Sequence, residues 1–495
     1  MAAARTDFWH TGHDVFDVAI LGGGIQGACL YARLVAQGRR VLLIDQGDFG
    51  GGTSQASAML IWGGLLYLKN REFAEVMRLS ASRDRMLRDC RGLADPHSLA
   101  YVFGPAPSRQ PWFIHLSLWA YWLLGSGRRR VPSRCRTFAE QAFLSPAAAS
   151  ERLRFEEGRL RLSDAQFVMN WIAPSAGGQA VNYCVLDDAQ YDPHGRAWTL
   201  RLRDALSPRT ADVSAACVVN ATGVWADRVN ARCGISAPWR QLLAKGVSLS
   251  VARPPDHHDT LVFDNPSADE GMSLVPWGPV SLWGSTETIV DRAEDGWRAE
   301  PREVDYLLGQ LNKKLRRPVG RDAVISLRCG VRSLAVPTDS VGGDPLRFSK
   351  RWRLHCDAQR PWISIFGGKI TACLDVAARV ERVLGRILRR APCRPAATAP
   401  VEAAFEQYPG LTQPVPAAGW CATHQMCRTL EDYLRRRTNI AQWVPRGGLG
   451  RSGEHRPALL RIAAALCNAD PAAAQAMVAA YEGRIVREHD AVLGF

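Results

Sequence analysis

The order of apolar and polar positions at the start of the chain predicts a strand–helix–strand unit. Residues 16–21 (FDVAIL) form a short apolar run that leads into glycines, as a buried parallel strand does. Residues 25–37 place apolar side chains near helical spacing, and Gly38 then predicts the end of the helix. Residues 40–45 (RVLLID) predict the second strand. The chain therefore opens as strand, glycine turn, helix and strand.

Later segments repeat parts of this unit and add two others. Residues 215–223 (AACVVNATG) and 360–388 each predict a strand that runs into a glycine turn, and a long helix follows the second. Between 245 and 335, short alternating runs broken by Pro and Gly predict a mostly antiparallel sheet. Residues 391–417 are rich in Pro and Ala and predict a linker, whereas 418–495 have a helical pattern.

The chain carries a formal net charge of +14, which indicates an anionic partner such as nucleic acid or a membrane surface. Three arginine clusters contribute to it, at 127–130, 387–394 and 433–439, and each is also compatible with a solvated helix face. Neither zinc-finger spacing nor an RNA-binding aromatic signature accompanies the charge, so the sequence argues against nucleic acid.

The 13 cysteines are scattered and include no C-x-x-C pair. This distribution is typical of reduced thiols in a cytosolic protein, and it lacks zinc-ligand spacing, so we expect neither disulfides nor a metal. Residues 1–14 lack the apolar core of a signal peptide, which supports a cytoplasmic location.

The most apolar window is 112–124 (WFIHLSLWAYWLL). Its 13 residues are too few to cross a hydrocarbon core of about 30 Å. Two interpretations remain open: a buried helix, or a helix that lies in a membrane interface with its aromatic side chains beside the arginines that follow. The second would make this a peripheral protein at the inner face of a membrane.

A glycine pattern lies at the first strand-to-helix turn. Gly22, Gly24 and Gly27 form G-x-G-x-x-G, and Asp45 ends the next predicted strand, 23 residues after Gly22. In such a turn the glycines permit a tight bend, close approach of a pyrophosphate and close helix–strand packing, while the helix N-terminus adds partial positive charge. An acidic residue at this distance accepts hydrogen bonds from a ribose. The combination predicts a dinucleotide site.

Two further glycine turns bear on which dinucleotide binds. Thr222 and Gly223 follow one predicted strand, and residues 366–371 (FGGKIT) follow another and precede a helix. FAD is longer than NAD and needs distant segments to close over its flavin end, so three glycine turns favour FAD. The alternative is that the two later turns are ordinary strand–helix connections.

Five motifs occur in order along the chain. They are DVAILGGGIQGA (17–28), GTSQASAMLIWGGLLYL (52–68), VNATGVWAD (219–227), CGVRSL (329–334) and FGGKIT (366–371). In sequence and order they resemble the FAD-dependent glycerol-3-phosphate dehydrogenases, within the wider D-amino-acid-oxidase-like flavoproteins. Residues 426–443 resemble the C-terminal cap of the same enzymes, so the resemblance covers nearly the whole chain.

The resemblance implies a mixed α/β (α+β) fold: a Rossmann-like FAD/NAD(P)-binding domain with an antiparallel-sheet substrate domain and a small C-terminal helical domain. On this basis we expect 14–244 to form the main part of a discontinuous FAD-binding domain and 245–355 the substrate domain. Residues 356–390 would close the FAD-binding domain, and 398–495 would form the helical cap. It also implies FAD as cofactor and hydride transfer from an alcohol carbon to the flavin.

The matching positions provide a set of expected FAD contacts. They are Gly22, Gly24, Ile25, Gln26 and Gly27; Asp45; Thr53, Ser54, Ser57, Leu60 and Gly63; Thr222 and Gly223; and Gly367, Gly368, Lys369, Ile370 and Thr371. By the same resemblance, residues 54–70 run beneath the flavin and into the substrate pocket, where close approach needs small side chains or backbone.

Three residues are expected to act on the substrate. By resemblance, Arg332 binds its anionic group or stabilises a developing alkoxide, Lys369 lies near the N1–C2 edge of the flavin, and Tyr67 lines the pocket. The alternative roles are a surface arginine, a lysine that merely begins a helix, and a core tyrosine.

Several polar positions of the family pattern are changed. Met59 stands where the family has lysine, Trp62 and Ser248 where it has histidine, Leu66 where it has the arginine that holds the substrate phosphate, and Ser333 where it has proline. A buried phosphate dianion must be matched by fixed positive charge, which leucine cannot supply. The family pattern therefore identifies no residue of this chain as the general base. The candidates by residue type alone are His115, His257, His258 and His355.

Together these features predict an FAD-dependent oxidoreductase that oxidises a secondary alcohol bearing an anionic group, with glycerol 3-phosphate as the leading substrate. A quinone at the membrane surface, implied by the resemblance, and oxygen both stay open as electron acceptor. The changed pocket leaves three alternatives: a flavin enzyme for an amine or another hydroxy compound, a catalytically silent flavoprotein subunit, and an NAD-dependent dehydrogenase. The sequence does not determine the oligomeric state, and a dimer is compatible with it.

Overall fold

The computed structural model describes residues 8–9, 15–68, 71–103, 110–135, 142–146, 151–175, 177–263, 271–339, 351–388 and 402–495. The strands are β1 Phe16–Leu21, β2 Val41–Ile44, β3 Leu60–Ile61, β4 Ala94–Phe103, β5 Ser133–Cys135, β6 Glu151–Leu160, β7 Gln179–Val181, β8 Cys184–Asp192, β9 Ala197–Asp204, β10 Thr210–Asn220, β11 Trp239–Ala252, β12 Thr260–Phe263, β13 Met272–Trp277, β14 Val280–Gly284, β15 Thr288–Val290, β16 Ser326–Pro337, β17 Arg353–Cys356, β18 Trp362–Phe366, β19 Phe405–Glu406 and β20 Val415–Pro416. The helices are α1 Ile25–Ala36, α2 Phe73–Asp89, α3 Pro111–Leu124, α4 Asp164–Ile172, α5 Ala226–Arg232, α6 Pro301–Asn312, α7 Cys373–Ile387, α8 Ala418–His424, α9 Ile440–Trp443, α10 Arg456–Leu466, α11 Pro471–Ile485 and α12 Ala491–Leu493.

The first sheet contains the predicted opening unit. Strands β7, β2, β1, β10 and β18 lie side by side and parallel, and β17 pairs with β18 in the antiparallel direction at one edge. Every residue of β1, β2 and β18 is buried, which is the pattern of parallel strands covered on both faces. The carboxyl ends of β1, β2, β10 and β18 therefore meet at one edge of this sheet.

Helices α1 and α7 pack against this sheet within one apolar core. The predicted helix at 25–37 is confirmed, because α1 buries the apolar positions Ala28, Leu30 and Leu34. It ends before Gly38, whose φ of 77° is a left-handed conformation that favours glycine.

Within the described residues the second sheet has ten strands, and residues of both sheets line one cavity. The antiparallel pairing predicted for 245–335 is confirmed, since β11 pairs with β14, β15 and β16, and β13 pairs with β12 and β14, all antiparallel. Strands β3, β4, β5 and β6 complete the sheet, with β12 and β4 parallel. The segment 14–244 thus contributes strands to both sheets, and the division into domains at the predicted boundaries stays a prediction.

The C-terminal region is helical, as predicted, and has its own apolar core. The arginine cluster at 433–439 is not a solvated helix face, because Arg436 and Arg437 are buried and both pair with Asp48. The predicted linker and the cluster at 387–394 lie partly outside the described residues. From 402 onward the linker includes the short strand pair β19 and β20.

The apolar window at 112–124 forms α3. This helix buries Ile114, Leu118 and Tyr121, so a buried helix describes one face of it. The exposed side chains of its other face are Trp112, Phe113, Leu116, Trp119 and Leu123. In the part of the chain that the structure describes, no helix is long and apolar enough to cross a membrane.

Candidate active site

The first glycine turn joins β1 to α1. Gly22 has a φ of 98°, and a Cβ atom on Gly27 would lie 2.0 Å from the carbonyl oxygen of Gly22. Only glycine at both positions lets the helix begin so close to the strand end. The first turn of α1 contains no acidic side chain, so its partial positive charge is available to an anionic ligand.

Asp45 follows β2 at the same edge of the sheet. Its carboxylate accepts hydrogen bonds from the backbone N–H of Gly23 at 2.7 Å and of Gly47 at 2.9 Å. Burial raises the pKa of Asp45 to about 6, although both hydrogen bonds act in the opposite direction. The carboxylate is thus held in place with lone pairs left over for hydroxyl donors.

Residues 53–54 connect the first sheet to the second. The Thr53 hydroxyl donates to the carbonyl of Val331 in β16 at 2.5 Å. The Ser54 hydroxyl oxygen accepts from the N–H of Ile25, the first residue of α1, at 3.0 Å. These two bonds position the start of the glycine-rich 52–68 segment between the N-terminus of α1 and the second sheet.

A buried ion pair holds the next part of the segment. Asp164 accepts a hydrogen bond from the N–H of Ser57 at 2.7 Å and pairs with Arg328 at 2.5 Å. The Nε of Arg328 donates to the carbonyl of Ser57 at 3.0 Å, and its guanidinium lies 5.0 Å from the ring centroid of Trp277. No sequence motif marks this pair; the one local signal beside Asp164 is Ser163-x-x-Gln166, which forms a capping box at the start of α4.

The two later glycine turns lie beside the first. Thr222 and Gly223 follow β10, and Gly367 and Gly368 follow β18 with φ angles of 65° and 110°. The Gln26 side-chain amide donates to the backbone carbonyl of the residue after Gly368, Lys369, at 3.3 Å. The three turns are therefore parts of one structure rather than separate connections.

These turns line one continuous cavity of about 680 Å³. All predicted cofactor and pocket residues lie in its lining except Gly27 and Gly63. Gly27 packs against Gly22, as described above. Gly63 faces buried side chains instead: a Cβ on it would lie 2.2 Å from the Tyr121 hydroxyl, and its N–H donates to Glu157.

Lys369 and Tyr67 meet at the end of the cavity away from Asp45. The Lys369 Nζ lies 4.8 Å from the centroid of the Tyr67 ring. Burial, with a smaller contribution from the charge of Arg332, lowers the pKa of Lys369 to about 8. Burial also raises the pKa of Tyr67, whose hydroxyl has no hydrogen-bond partner among the described residues. At neutral pH this end holds an ammonium group and a phenol free to donate.

Arg332 projects from β16 at the same end. Its Nη2 donates to the Ser285 hydroxyl at 2.8 Å, and its Nη1 lies 3.6 Å from the Glu287 carboxylate. Both partners line the cavity and follow β14, and neither was singled out in the sequence. The stretch GSTET (284–288) carries no pattern that marks either side chain as functional.

The histidine candidates are not part of this site. None of His115, His257, His258 and His355 lines the cavity as far as the described residues define it. His257 is buried beside the Ser281 hydroxyl, and His115 contacts Trp119 on the outer side of α3. Of the changed family positions, Trp62, Ser248 and Ser333 line the cavity, whereas the side chain of Leu66 lies outside the described part.

The cavity suits a long dinucleotide. Glycine at 22 and 27 leaves a backbone cradle at a positive helix end for a pyrophosphate, and Asp45 offers acceptors for ribose hydroxyls. Ser57, Leu60 and Gly64 line the cavity without charge, which suits contact with a flat aromatic ring. Residues 17–374 match the family described as FAD dependent oxidoreductase. The chain belongs to this family. FAD is its cofactor.

Similar proteins agree with this family. Over 416 residues the chain is 27% identical to a glycerol-3-phosphate dehydrogenase of Synechocystis sp., covering 80% of this chain and 74% of that protein. It is 27% identical over 382 residues to a D-erythritol 1-phosphate dehydrogenase of Brucella abortus, covering 73% and 72%. The structure of a Bacillus halodurans glycerol-3-phosphate dehydrogenase complexed with FAD has a TM-score of 0.70 at 17% identity and covers 99% of this chain and 98% of its own. The predicted fold class and the FAD-dependent oxidoreductase activity are confirmed.

Proposed function

We propose that this FAD-dependent oxidoreductase oxidises a secondary alcohol bearing an anionic group, and that glycerol 3-phosphate is its leading substrate. The observation that carries the proposal is the pairing of two cations, Arg332 and Lys369, at one end of the FAD cavity. The similar proteins include a glycerol-3-phosphate dehydrogenase and a D-erythritol 1-phosphate dehydrogenase, which supports the same substrate class.

The two cations offset the missing arginine at position 66. A phosphate taken out of water needs charge-assisted hydrogen bonds. Arg332 is 39% exposed at the side chain and already oriented by Ser285, so its remaining N–H groups are available to an anion or an alkoxide. Lys369 adds a second positive charge at neutral pH, because its pKa of about 8 keeps most molecules protonated.

Tyr67 has the geometry of a hydrogen-bond donor to the substrate. Its hydroxyl is buried and unpaired among the described residues, and its raised pKa keeps it protonated. An unpaired buried donor is costly, so a bound hydroxyl or phosphate oxygen would remove that cost. When bound, FAD supplies the acceptor of the hydride.

A second substrate class is favoured by one observation. Glu287 places a carboxylate beside Arg332, which gives this end of the cavity both charge signs. That arrangement suits a substrate with a cationic amine next to an anion, and Ser248 and Leu66 depart from the phosphate pattern. An amine or another hydroxy compound is therefore the alternative, and a catalytically silent flavoprotein is the third outcome of the test.

The test is anaerobic absorbance of the FAD-loaded protein. Addition of glycerol 3-phosphate is expected to bleach the flavin band near roughly 450 nm, because substrate oxidation reduces the flavin. If the band survives glycerol 3-phosphate but bleaches with another alcohol or an amine, the substrate is wrong. If dithionite alone bleaches it across the whole panel, the protein is catalytically silent.

We also propose that the protein docks peripherally on the inner face of a membrane and passes electrons to a quinone there. The support is the outer face of α3, where Trp112 and Leu116 are each 61% exposed and Leu123 is 66% exposed. A helix with one apolar exposed face and basic neighbours favours the interface between headgroups and acyl chains.

Arginines surround the end of this helix. Arg128 and Arg130 follow α3 within six residues, and the side chain of Arg130 is 87% exposed. Arg128 also lines a surface pocket with Arg88 and Arg91. With a formal net charge of +14, such a cluster favours anionic lipid by about 1 kcal/mol for each residue that reaches the surface.

A further inference from the structure

The oxidation proposed above needs a proton acceptor. An alcohol that loses hydride from carbon must also lose its hydroxyl proton, and the acceptor must lie within reach of that hydroxyl. Ser248 stands where the family resemblance places a histidine, and the described lining contains no histidine. The titratable residues of the described lining are Asp45, Tyr67, Asp164, Cys184, Arg228, Arg232, Glu287, Arg332 and Lys369.

Two of the three carboxylates are already engaged away from the substrate. Asp45 accepts two backbone hydrogen bonds beside the first glycine turn. The N–H of Cys184 donates to the carbonyl of Asp45 at 2.7 Å, so Cys184 lies at that same end. Asp164 is paired with Arg328 and with the Ser57 N–H at distances of strong hydrogen bonds. Asp45, Asp164 and Cys184 are therefore not candidates for accepting the substrate proton.

Apart from Glu287, the ionisable side chains at the substrate end are mostly protonated near pH 7. Arg332 keeps its charge in proteins. Lys369 has a pKa lowered to about 8, and Tyr67 has a pKa raised by burial, so neither is mostly in the proton-accepting form near pH 7. Glu287 is the one described lining group there that can accept a proton.

The geometry of Glu287 suits this role. Thr286, the preceding residue, is fixed to Val247 of β11 by two hydrogen bonds, from its N–H at 2.9 Å and to its hydroxyl at 3.0 Å. The Glu287 side chain is 20% exposed, and its Oε1 lies 3.6 Å from Arg332 Nη1. That distance exceeds the roughly 2.7–2.9 Å of a charge-assisted hydrogen bond, so a substrate hydroxyl can still compete for the carboxylate.

We infer that Glu287 is the catalytic base: it accepts the hydroxyl proton of an alcohol whose anionic group or developing alkoxide is held by Arg332. This inference rests on the proposed function. In the step, the O–H bond breaks and its proton goes to a carboxylate oxygen of Glu287. The electron pair of that bond becomes the second C–O bond, while the C–H pair leaves as hydride to the flavin. The alcohol is oxidised by two electrons to a ketone.

The test compares Glu287→Gln and Glu287→Asp with the wild type and with Asp291→Asn, an exposed carboxylate just past β15. Anaerobic stopped-flow bleaching by glycerol 3-phosphate is recorded from about pH 5 to 9. E287Q should slow bleaching roughly 10²- to 10⁴-fold, the usual contribution of a general base. The acid limb of the pH profile should disappear in E287Q and return in E287D, while D291N should match the wild type.

A second readout separates a catalytic role from a structural one. Binding of dihydroxyacetone phosphate, the ketone product, is titrated by the shift of the oxidised flavin spectrum. E287Q should keep its FAD and bind this product within about threefold of the wild type, because the ketone has no proton to give up.

Two failures are distinct. If E287Q bleaches within about threefold of the wild-type rate and keeps the acid limb, Glu287 is not the base. If the pH profile of bleaching instead shows a limb near pH 8 that is lost only in Lys369→Met, Lys369 is the base. If no alcohol bleaches the wild type, the proposed function fails and this inference falls with it, a result visible without any variant.

Discussion

At the scale of single residues, small side chains make room for the charged ones in this site. Gly246 lines the cavity from β11, the strand that pairs with β16, and a Cβ on it would lie 2.9 Å from the Nη2 of Arg332. Glycine there allows the guanidinium to reach both Ser285 and the cavity. The position of the cation is therefore set by a neighbour that has no side chain of its own.

Replacement of Arg332 tests the anion site. Arg332→Ala should raise the KM for glycerol 3-phosphate roughly 10- to 150-fold, which corresponds to about 1.5–3 kcal/mol for a hydrogen bond to a charged group. The KM of Arg332→Lys should lie between those of the wild type and Arg332→Ala, because lysine keeps the charge but lacks the planar, two-pronged guanidinium. Steady-state kinetics with an artificial electron acceptor provide the measurement. Arg302→Ala, at a side chain that is 80% exposed, is the control and should leave KM unchanged.

At the scale of elements, one added methyl group where the first glycine turn meets α1 should strongly weaken FAD binding. Gly27→Ala would place a Cβ 2.0 Å from a backbone oxygen, which forces helix and strand apart at the pyrophosphate cradle. We expect this variant to lose most of its FAD, measured as flavin per protein after dialysis.

Gly385→Ala is the matched control for that variant. Gly385 also lies in a helix, α7, and a Cβ there would meet nothing within 4 Å. Alanine should keep the full FAD content and stabilise the helix by roughly 0.5–1 kcal/mol. Equal FAD content in both variants would contradict the role assigned to Gly27.

The exposed face of α3 makes its own prediction. Trp112→Ser with Leu116→Ser and Leu123→Ser should abolish co-sedimentation with vesicles that contain anionic lipid, while leaving glycerol 3-phosphate bleaching intact. The matched control is Leu206→Ser, at a leucine that is 47% exposed far from this helix in sequence. Raising the salt concentration should weaken binding of the wild type, because part of it is electrostatic. Binding that survives the triple change would place the docking surface elsewhere.

At the scale of the whole molecule, a buried ion network joins the C-terminal helices to the cofactor-binding sheet. Asp48 accepts hydrogen bonds from Arg437 at 2.7 Å on both oxygens and from Arg436 at 2.6 Å. Burial disfavours its charged form, but the two guanidinium groups outweigh that effect and lower the pKa of Asp48 to about 2. Asp48 is three residues after Asp45, and its arginine partners lie nearly 390 residues further along the chain.

Asp48→Asn should therefore destabilise the protein by about 3–5 kcal/mol at pH 7, since it takes the carboxylate away from the buried guanidinium of Arg437. Arg436 keeps its pairs with Asp432 and Glu431. Between the ordinary pKa of 3.8 and the folded value of about 2, the unfolded chain binds more protons than the folded one. This contribution is therefore complete above pH 4 and is lost as the pH falls toward 2. The difference between the thermal midpoints of the two proteins should stay constant from pH 7 to about 5 and narrow as the pH is lowered to 3.

An exposed pair supplies the comparison. Asp212→Asn breaks an ion pair with Arg201 in which both side chains are more than half exposed. Its cost should be below about 1 kcal/mol at any pH. A similar small cost for Asp48→Asn would mean that the buried network does not hold the helical region on the sheet.

The amino-acid sequence by itself determined the local parts of this protein. The turns at Gly22, Gly223 and Gly367, and the strands and helices around them, depend on neighbours within a few residues. Their apolar periodicity and glycine positions are therefore readable along the chain. The position of Asp45 after a buried strand is of the same kind, because it needs only the strand end to be correct.

Only the tertiary structure decided which side chains surround the proposed substrate end of the cavity. Glu287, just before β15, meets Arg332 of β16 across the intervening strand β11, and Arg328 reaches Ser57 across 271 residues of chain. Sheet pairing brings such residues together at no fixed spacing in the sequence, so no sequence motif predicts these contacts. The burial of Arg436 and Arg437 could not be predicted from the sequence for the same reason. Whether an arginine is solvated or ion-paired depends on a carboxylate that is distant in the sequence, here Asp48. Short-range sterics determine the glycine turns, which the sequence therefore predicts, whereas long-range packing determines which charged side chains lie at the proposed substrate end of the cavity.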